Sequence, residues 1–381
     1  MVRIESVKRT PVALLAAGLL SLSTAASSAS AGWKDWDYFA NRFVEQDGRV
    51  VDLTFEQKST SEGQSYGLFF ALVANQRQRF DTILAWTSDN LAGGRLGERL
   101  PAWLWGRRDD GSWGVKDDNA AADGDLWLAY SLLEAGRLWN VPAYSERGRA
   151  LLRRVREHEV VNAGSAGTLL LPGPVGFALD GGRYRVDPSY IPGFMFCYFA
   201  KIDPDGPWRD IWEGLVRLMR KPLAAGVAPD LFVVDERGDV QTDTQSNGIG
   251  SYDAIRVYLW AGMSGAESAP LLKPLAHYAE LTRRRGAPPE KVDSVTGKTQ
   301  GPDSGWSPIG FSGALLPYLS AIGDQATLDQ QRGKVERAQL LAKLGGSTNY
   351  YDEALILFGK GWLDGRYSFD RDGRLNADWG G

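Results

Sequence analysis

The stretch EGQSYGLFFALVANQ, residues 62–76, is apolar around almost its whole circumference, as a helix buried on every side should be. Five later segments look like versions of it: DGDLWLAYSLLEAG (123–136), YIPGFMFCYFAKI (190–202), DAIRVYLWAGM (253–263), FSGALLPYLSAIG (311–323) and YDEALILFGKG (351–361). Each follows a charged, amphipathic stretch, near 33–46, 76–91, 144–158, 207–221, 268–285 and 325–343. An outer helix needs one apolar face, whereas an inner one needs apolar residues all round. The chain keeps that distinction repeatedly. We therefore expect six outer-then-inner helix pairs closed into an all-α (α/α)6 barrel. An open solenoid would want polar caps at both ends, and the terminal pairs here are as apolar as the middle ones. Regular alternation would point every inner helix the same way. Glu62, Asp123 and Asp253, each at the start of an inner segment, would then gather at one mouth of the ring.

The connections before the inner segments carry turn and strand signals. GFALDGGRYRV (176–186) reads as a hairpin around Gly181-Gly182, LFVVDERGDVQT (231–242) as another around Gly238, and Tyr367 to Leu375 as a third turning at Asp372-Gly373. No Pro/Gly/Ser linker long enough to divide the chain is visible, so residues 32–381 read as one domain. Residues 1–31 read as a secretory signal: Arg3, Lys8 and Arg9, an apolar run from Val12 to Leu22, and a small-x-small site at Ala29-Ser30-Ala31 with cleavage expected after Ala31. That run is too short to span a bilayer as a helix, and no membrane insertion is expected.

The 381 residues carry 43 basic against 47 acidic side chains, a net charge of -4, so nothing suggests a nucleic acid partner. Mean hydropathy is -0.28, within the soluble globular range. The 14 Trp, 14 Tyr and 14 Phe exceed what a core needs and offer flat platforms for ligand faces. Cys197 is the only cysteine and lies in the apolar run GFMFCYFA, which fits an inert buried thiol and excludes an internal disulfide. Two isolated histidines, His158 and His277, do not supply the three or four ligands of a zinc site. The Asp109-Asp110 and Asp117-Asp118 pairs lack calcium-loop spacing. No metal and no cofactor is expected.

Three acidic points remain. Glu62 opens its segment after Ser59, Thr60 and Ser61, any of which fits a helix cap. There the helix dipole would lower a carboxyl pKa, so work as a general acid would require burial or a neighbouring carboxylate to override it. Asp253 either caps its helix or pairs with Arg256 one turn on, which would keep it ionised as a base. Asp123 and Asp125 both fit a cap, and one of them is expected to face the site. An acid kept neutral beside a carboxylate kept charged suits glycoside hydrolysis. Aromatic candidates for sugar stacking are Trp103, Trp105 and Trp113 in PAWLWGRRDDGSW (101–113), Tyr190, Tyr252, and the pair Tyr350-Tyr351.

At these motifs the chain resembles glycoside hydrolase family 8. The residues that carry the likeness are TSEGQSYG (60–67), ADGDLWLAYSLLEAGRLW (122–139) and SYDAIRVYLW (251–260), and the likeness runs over essentially all of 32–381. Within the family, ERLPAWLWG (98–106) and the LPGPVGFA to DPSYIPG region (171–193) are similar to the periplasmic endoglucanases of bacterial cellulose synthase operons. The resemblance implies an (α/α)6 barrel that cleaves β-1,4-glucans with inversion, Glu62 as general acid, Asp253 as general base, and Asp123 holding the sugar at the cleavage point. It implies substrate contacts at Arg256, Tyr190 and Tyr350 or Tyr351. Ala122 departs from the family signature, which has Ser or Thr there. The expected partner is a cellulose chain, with a cellulose synthase or export complex as a further partner. Xylan or chitosan as substrate, and a non-catalytic glucan-binding export factor, are the alternatives.

Overall fold

The computed structural model describes residues 32–379 apart from 55, 302–305 and 347, so the leader read over 1–31 lies outside the described residues. Thirteen helices are found among them: α1 (Lys34–Phe43), α2 (Ser61–Val73), α3 (Arg77–Leu91), α4 (Ala122–Leu138), α5 (Pro142–His158), α6 (Gly193–Ile202), α7 (Trp208–Leu218), α8 (Ala254–Met263), α9 (Ala269–Leu272), α10 (Ala276–Arg285), α11 (Ile309–Ile322), α12 (Gln325–Lys343) and α13 (Tyr350–Leu363). The inner ring is α2, α4, α6, α8, α11 and α13, which are the six segments singled out in the sequence. Nearly every residue of these helices is buried, whereas outer helices such as α5 and α7 bury one stripe. This is the (α/α)6 barrel.

The pairing runs the other way from expectation. The tight hairpins are inner-then-outer: α2 packs on α3, α4 on α5, α6 on α7, and α11 on α12. The first helix, α1, packs on the last inner helix, α13, and so closes the ring. Short loops such as 74–76 and 139–141 leave no room for anything but a reversal, while the long outer-to-inner connections carry the strands.

Rings from the inner helices fill the barrel axis. Trp127 of α4 contacts Tyr66 and Phe69 of α2, Phe194 of α6, Trp260 of α8 and Phe358 of α13 at centroid distances of 4.9 to 6.0 Å. Each such side chain contributes about 1.5–3 kcal/mol on burial. The axis is a plug. α11 and α13 approach very closely, since a Cβ on Gly359 would lie 1.9 Å from the Gly313 carbonyl oxygen. Pro317 lacks an N–H, so that carbonyl has no intrahelical donor four residues on.

The strands form small antiparallel sheets around the ring. β1 (Ser59–Thr60), β2 (Leu104–Arg107) and β3 (Trp113–Asp117) make one; β4 (Val160–Asn162) and β5 (Thr168–Leu170) a second. β6 (Ala178–Leu179), β7 (Arg183–Val186), β8 (Phe232–Asp235) and β9 (Val240–Thr242) join the first two expected hairpins into one four-stranded sheet through the β7–β8 pairing of Arg183 with Asp235 to Val186 with Phe232. β10 (Ile249–Gly250), β11 (Lys291–Asp293) and β12 (Thr299–Gln300) follow, and β13 (Tyr367–Phe369) with β14 (Leu375–Ala377) forms the third expected hairpin. The 101–113 stretch holds β2, the turn that follows it and the first residue of β3. β1 leads straight into α2, so its pairing of Thr60 with Leu104 fixes where Glu62 begins. Among the described residues no helix is long and apolar enough to cross a membrane.

Candidate active site

Thr60 supplies the cap of α2: its Oγ1 accepts the Gly63 N–H at 3.0 Å. Glu62 is thereby free of capping and reaches inward. On α4 neither acid caps, and Asp123 and Asp125 part company. Asp123 points to the mouth, while Asp125 is fully buried on the other side of the same turn. Asp253 stands at the N-cap position of α8 without capping it. That task falls to Asp230, whose Oδ1 accepts the Ser251 and Ala254 N–H groups at 2.7 and 2.8 Å.

The freed carboxylates converge on Arg256. Its Nη1 donates to Glu62 and, at 3.1 Å, to Asp123, and its Nη2 donates to Asp253 at 2.8 Å. Nη1 also meets the Tyr66 hydroxyl at 3.2 Å, and Nη2 meets Ser189 Oγ at 3.2 Å. Ser189 Oγ donates in turn to Asp187 Oδ1 at 2.7 Å. The Tyr190 ring lies 5.5 Å from the guanidinium carbon. Arg256 is 2% exposed. One buried cation thus faces three acids from three helices, and removing it would cost on the order of 3–5 kcal/mol by leaving them uncompensated.

A single positive charge cannot hold three negative ones, so a proton stays. Glu62 is pushed up to about 8, chiefly by burial; Arg256 opposes the shift, and the Asp123 and Asp253 charges add to it. Burial and the two carboxylates therefore override the helix dipole. Asp253 is also raised, by burial first, with Arg256 pulling it down. Its side chain keeps 43% of its surface, against 20% for Glu62, so water moderates the shift at Asp253 and can reach its carboxylate. Asp230 rises to about 6, through burial and the Asp253 charge.

A cavity of about 250 Å3 opens beside Glu62, lined by Asp52, Lys58, Trp103, Leu104, Tyr350 and Tyr351 among others. The Tyr350 hydroxyl is buried against Gly63 with no hydrogen-bond partner among the described residues. Tyr351 donates to the Tyr252 carbonyl at 2.6 Å and stands beside the half-exposed Tyr252 ring. Of the three tryptophans, Trp103 lines this cavity. Trp105 and Trp113 do not. They stack on each other at 5.4 Å, with Arg49 lying 4.4 and 4.9 Å from their ring centres, and Trp86 packs edge-on against Trp105. Trp113 remains 44% exposed on the hairpin. Asp187, Ser189 and Asp230 were missed in the sequence. Their signal is weak: an Asp next to a proline in a connection just ahead of an inner helix. Cys197 is buried and its thiol is pushed up to about 12, mainly by burial, so it is no nucleophile. A separate hollow of about 260 Å3 between Lys221, Pro229, Phe232 and Val295 holds none of the acids.

The family model described as glycosyl hydrolases family 8 matches residues 11–365. An endoglucanase of Xanthomonas axonopodis pv. citri (strain 306) is 46% identical over 369 residues, 96% of this chain and 94% of its own length. An endoglucanase of Escherichia coli (strain K12) is 43% identical over 366 residues, 95% of each. Among solved structures, the endo-1,4-D-glucanase from Vibrio fischeri ES114 superposes with a TM-score of 0.85 at 39% identity, covering 91% of this chain and 99% of that one.

Proposed function

Because this chain belongs to family 8 of the glycosyl hydrolases, we propose that its mouth cleaves internal β-1,4-glucosidic bonds of cellulose with inversion at the anomeric carbon. It is a glycoside hydrolase, and the endoglucanase reading follows its likeness to full-length relatives that carry that name. The observation that carries the mechanism is the convergence of Glu62, Asp123 and Asp253 on one buried arginine; burial there raises the Glu62 carboxyl to about 8, which suits a proton donor.

Glu62 protonates the glycosidic oxygen, and the leaving chain departs. Asp253, in contact with solvent and held by Arg256, takes a proton from the water that attacks the opposite face. Inversion of this kind needs carboxyls roughly 6.5–9.5 Å apart; the two acids here take different nitrogens of one guanidinium. Asp123, buried, accepts the Gly124 N–H at Oδ1 and faces Arg256 through Oδ2, and its role is to hold the sugar at the cleavage point. Trp103, Tyr350 and Tyr351 border the cleft beside Glu62, and Trp113 offers a further platform along the hairpin. The enzyme works outside the cytoplasm after cleavage at Ala31, and trims glucan beside a cellulose synthase or export complex. Support for these last points is the leader pattern and the resemblance to synthase-operon endoglucanases.

Reducing-sugar release from carboxymethylcellulose, xylan and chitosan tests the substrate. Carboxymethylcellulose is expected to be cut fastest. Faster release from xylan or chitosan would overturn the cellulose reading. Binding of glucan with no release from any of the three would make the protein a glucan-binding factor.

A further inference from the structure

The first turn of α4 makes four different contacts with four successive residues. The Ala122 N–H donates to the Pro172 carbonyl at 3.0 Å. Asp123 faces Arg256. Gly124 lies so close to α2 that a Cβ there would meet Ser61 Oγ at 2.5 Å and the Glu62 nitrogen at 2.8 Å. Asp125 turns away from the cleft and meets Glu159, which ends α5.

Asp125 and Glu159 are both 0% exposed. None of their four carboxyl oxygens accepts from an N–H or O–H group elsewhere among the described residues. The backbone around them is closed. Glu159 N donates to Val155 O at 2.8 Å, Leu171 N donates to Glu159 O at 2.8 Å, and the next residue, Pro172, accepts from Ala122. Two ionised carboxylates without donors in such a place would each carry a large desolvation cost. One proton removes most of that cost, because a carboxylic acid donates and a carboxylate accepts. Burial pushes both groups well above the ordinary carboxyl range. The other ionisable group bearing on either is Asp123 on α4, which pushes the same way; α5 contributes Glu159, and the 171–172 segment contributes none.

We infer that Asp125 and Glu159 hold one proton between them and act as positioning residues, a hydrogen-bonded clasp that fixes the first turn of α4 against α2 and so sets Asp123 beside Glu62. The consequence for catalysis rests on the reading of the site given above; the shared proton does not.

The test compares the full chain with Asp125→Asn, Glu159→Gln and Asp125→Ala. In Asp125→Asn the amide donates to the Glu159 carboxylate, which keeps the bond and its charge while removing the proton. A pair whose folded-state pKa is raised contributes stability that is full below about pH 4 and is lost as pH rises toward the folded value. The Tm of the unaltered chain should therefore fall with pH more steeply than that of Asp125→Asn, the gap widening above about pH 4; Glu159→Gln should behave likewise. On carboxymethylcellulose, Asp125→Asn should keep kcat within a few-fold, and Asp125→Ala should lose on the order of 100-fold in kcat with a smaller change in KM. Parallel Tm–pH curves would overturn the shared proton. An equal loss of kcat in Asp125→Asn and Asp125→Ala would overturn the clasp. If Asp125→Ala does not fold, the Tm–pH comparison of the two amide variants still decides. A chain without glucanase activity would sink the site reading and leave the Tm result standing.

Discussion

Along the barrel axis, Phe69, Trp127, Trp260 and Phe358 meet ring to ring and hide no charge; at the mouth, built from the same helices, Glu62, Asp123 and Asp253 crowd a single buried guanidinium. Only three residues lie between Asp123 and Trp127. The axis is packed ring on ring for stability, and only its rim, the Tyr66 hydroxyl on Arg256 and the Trp260 N–H on the Ser189 carbonyl, is polar. The mouth keeps acids where burial penalises their charged forms, and that penalty holds a proton on Glu62. The contrast shows where the molecule spends stability on function: at the mouth, and not along the axis.

The comparison breaks first at Glu62. Glu62→Gln removes the proton donor and should lower kcat on carboxymethylcellulose by about 10²- to 10⁴-fold, with the fold and glucan binding intact. Unaltered turnover would mean the acid lies elsewhere. In the unaltered enzyme the alkaline limb of the kcat/KM profile should fall near pH 8, where Glu62 loses its proton, and the acid limb should follow protonation of Asp253. The same raised carboxyl gives a stability check. Its contribution is complete below the ordinary carboxyl pKa of 4.5 and is lost as pH rises through about 8, so Glu62→Gln should gain Tm relative to the unaltered chain across that window.

At the axis the expected signs reverse. Phe358→Ala should cost about 3–5 kcal/mol in denaturant unfolding, while kcat per folded molecule stays within a few-fold. A collapse of kcat without loss of stability would erase the distinction between plug and mouth. Asp230 lies between the two regimes, capping α8 and bordering Asp253. Asp230→Ala should cost about 1–2 kcal/mol as a lost cap and lower kcat more than it raises KM, because Asp253 loses its anchor. Trp113→Ala should be the mildest change, within about 0.5 kcal/mol in stability for an exposed residue; a larger effect on KM would place it in contact with the glucan.

The axis was legible in the sequence because a helix buried on every side leaves an unbroken apolar signal. The six inner segments, their common direction and the convergence of Glu62, Asp123 and Asp253 all follow from it. The pairing order was misread because amphipathic spacing identifies an outer helix without saying which neighbour it covers; the short 74–76 and 139–141 connections decide that. The mouth was legible only in its helix-borne parts. Arg256 stands one turn after Asp253 and could be found by spacing. Asp187, Ser189 and Asp230 arrive on irregular connections, where no periodicity announces a side chain's direction. Trp103 and Trp105 flank Leu104 where the β2–β3 register shifts between Leu104 and Trp105, and composition alone could not say which ring reaches the cleft. Of the two alternatives at Asp253, the Arg256 pair is the one observed, because Asp230 already caps α8; of Asp123 and Asp125, Asp123 is the one that faces the site.

The central claim is that Glu62 and Asp253 act from opposite faces of one bound sugar, with a water beside Asp253. Proton NMR of the first product released from a cello-oligosaccharide, recorded before the anomers equilibrate, tests it most directly. The account predicts an α-configured reducing end. A β-configured first product would mean retention through a covalent intermediate, and would contradict the roles assigned to both residues.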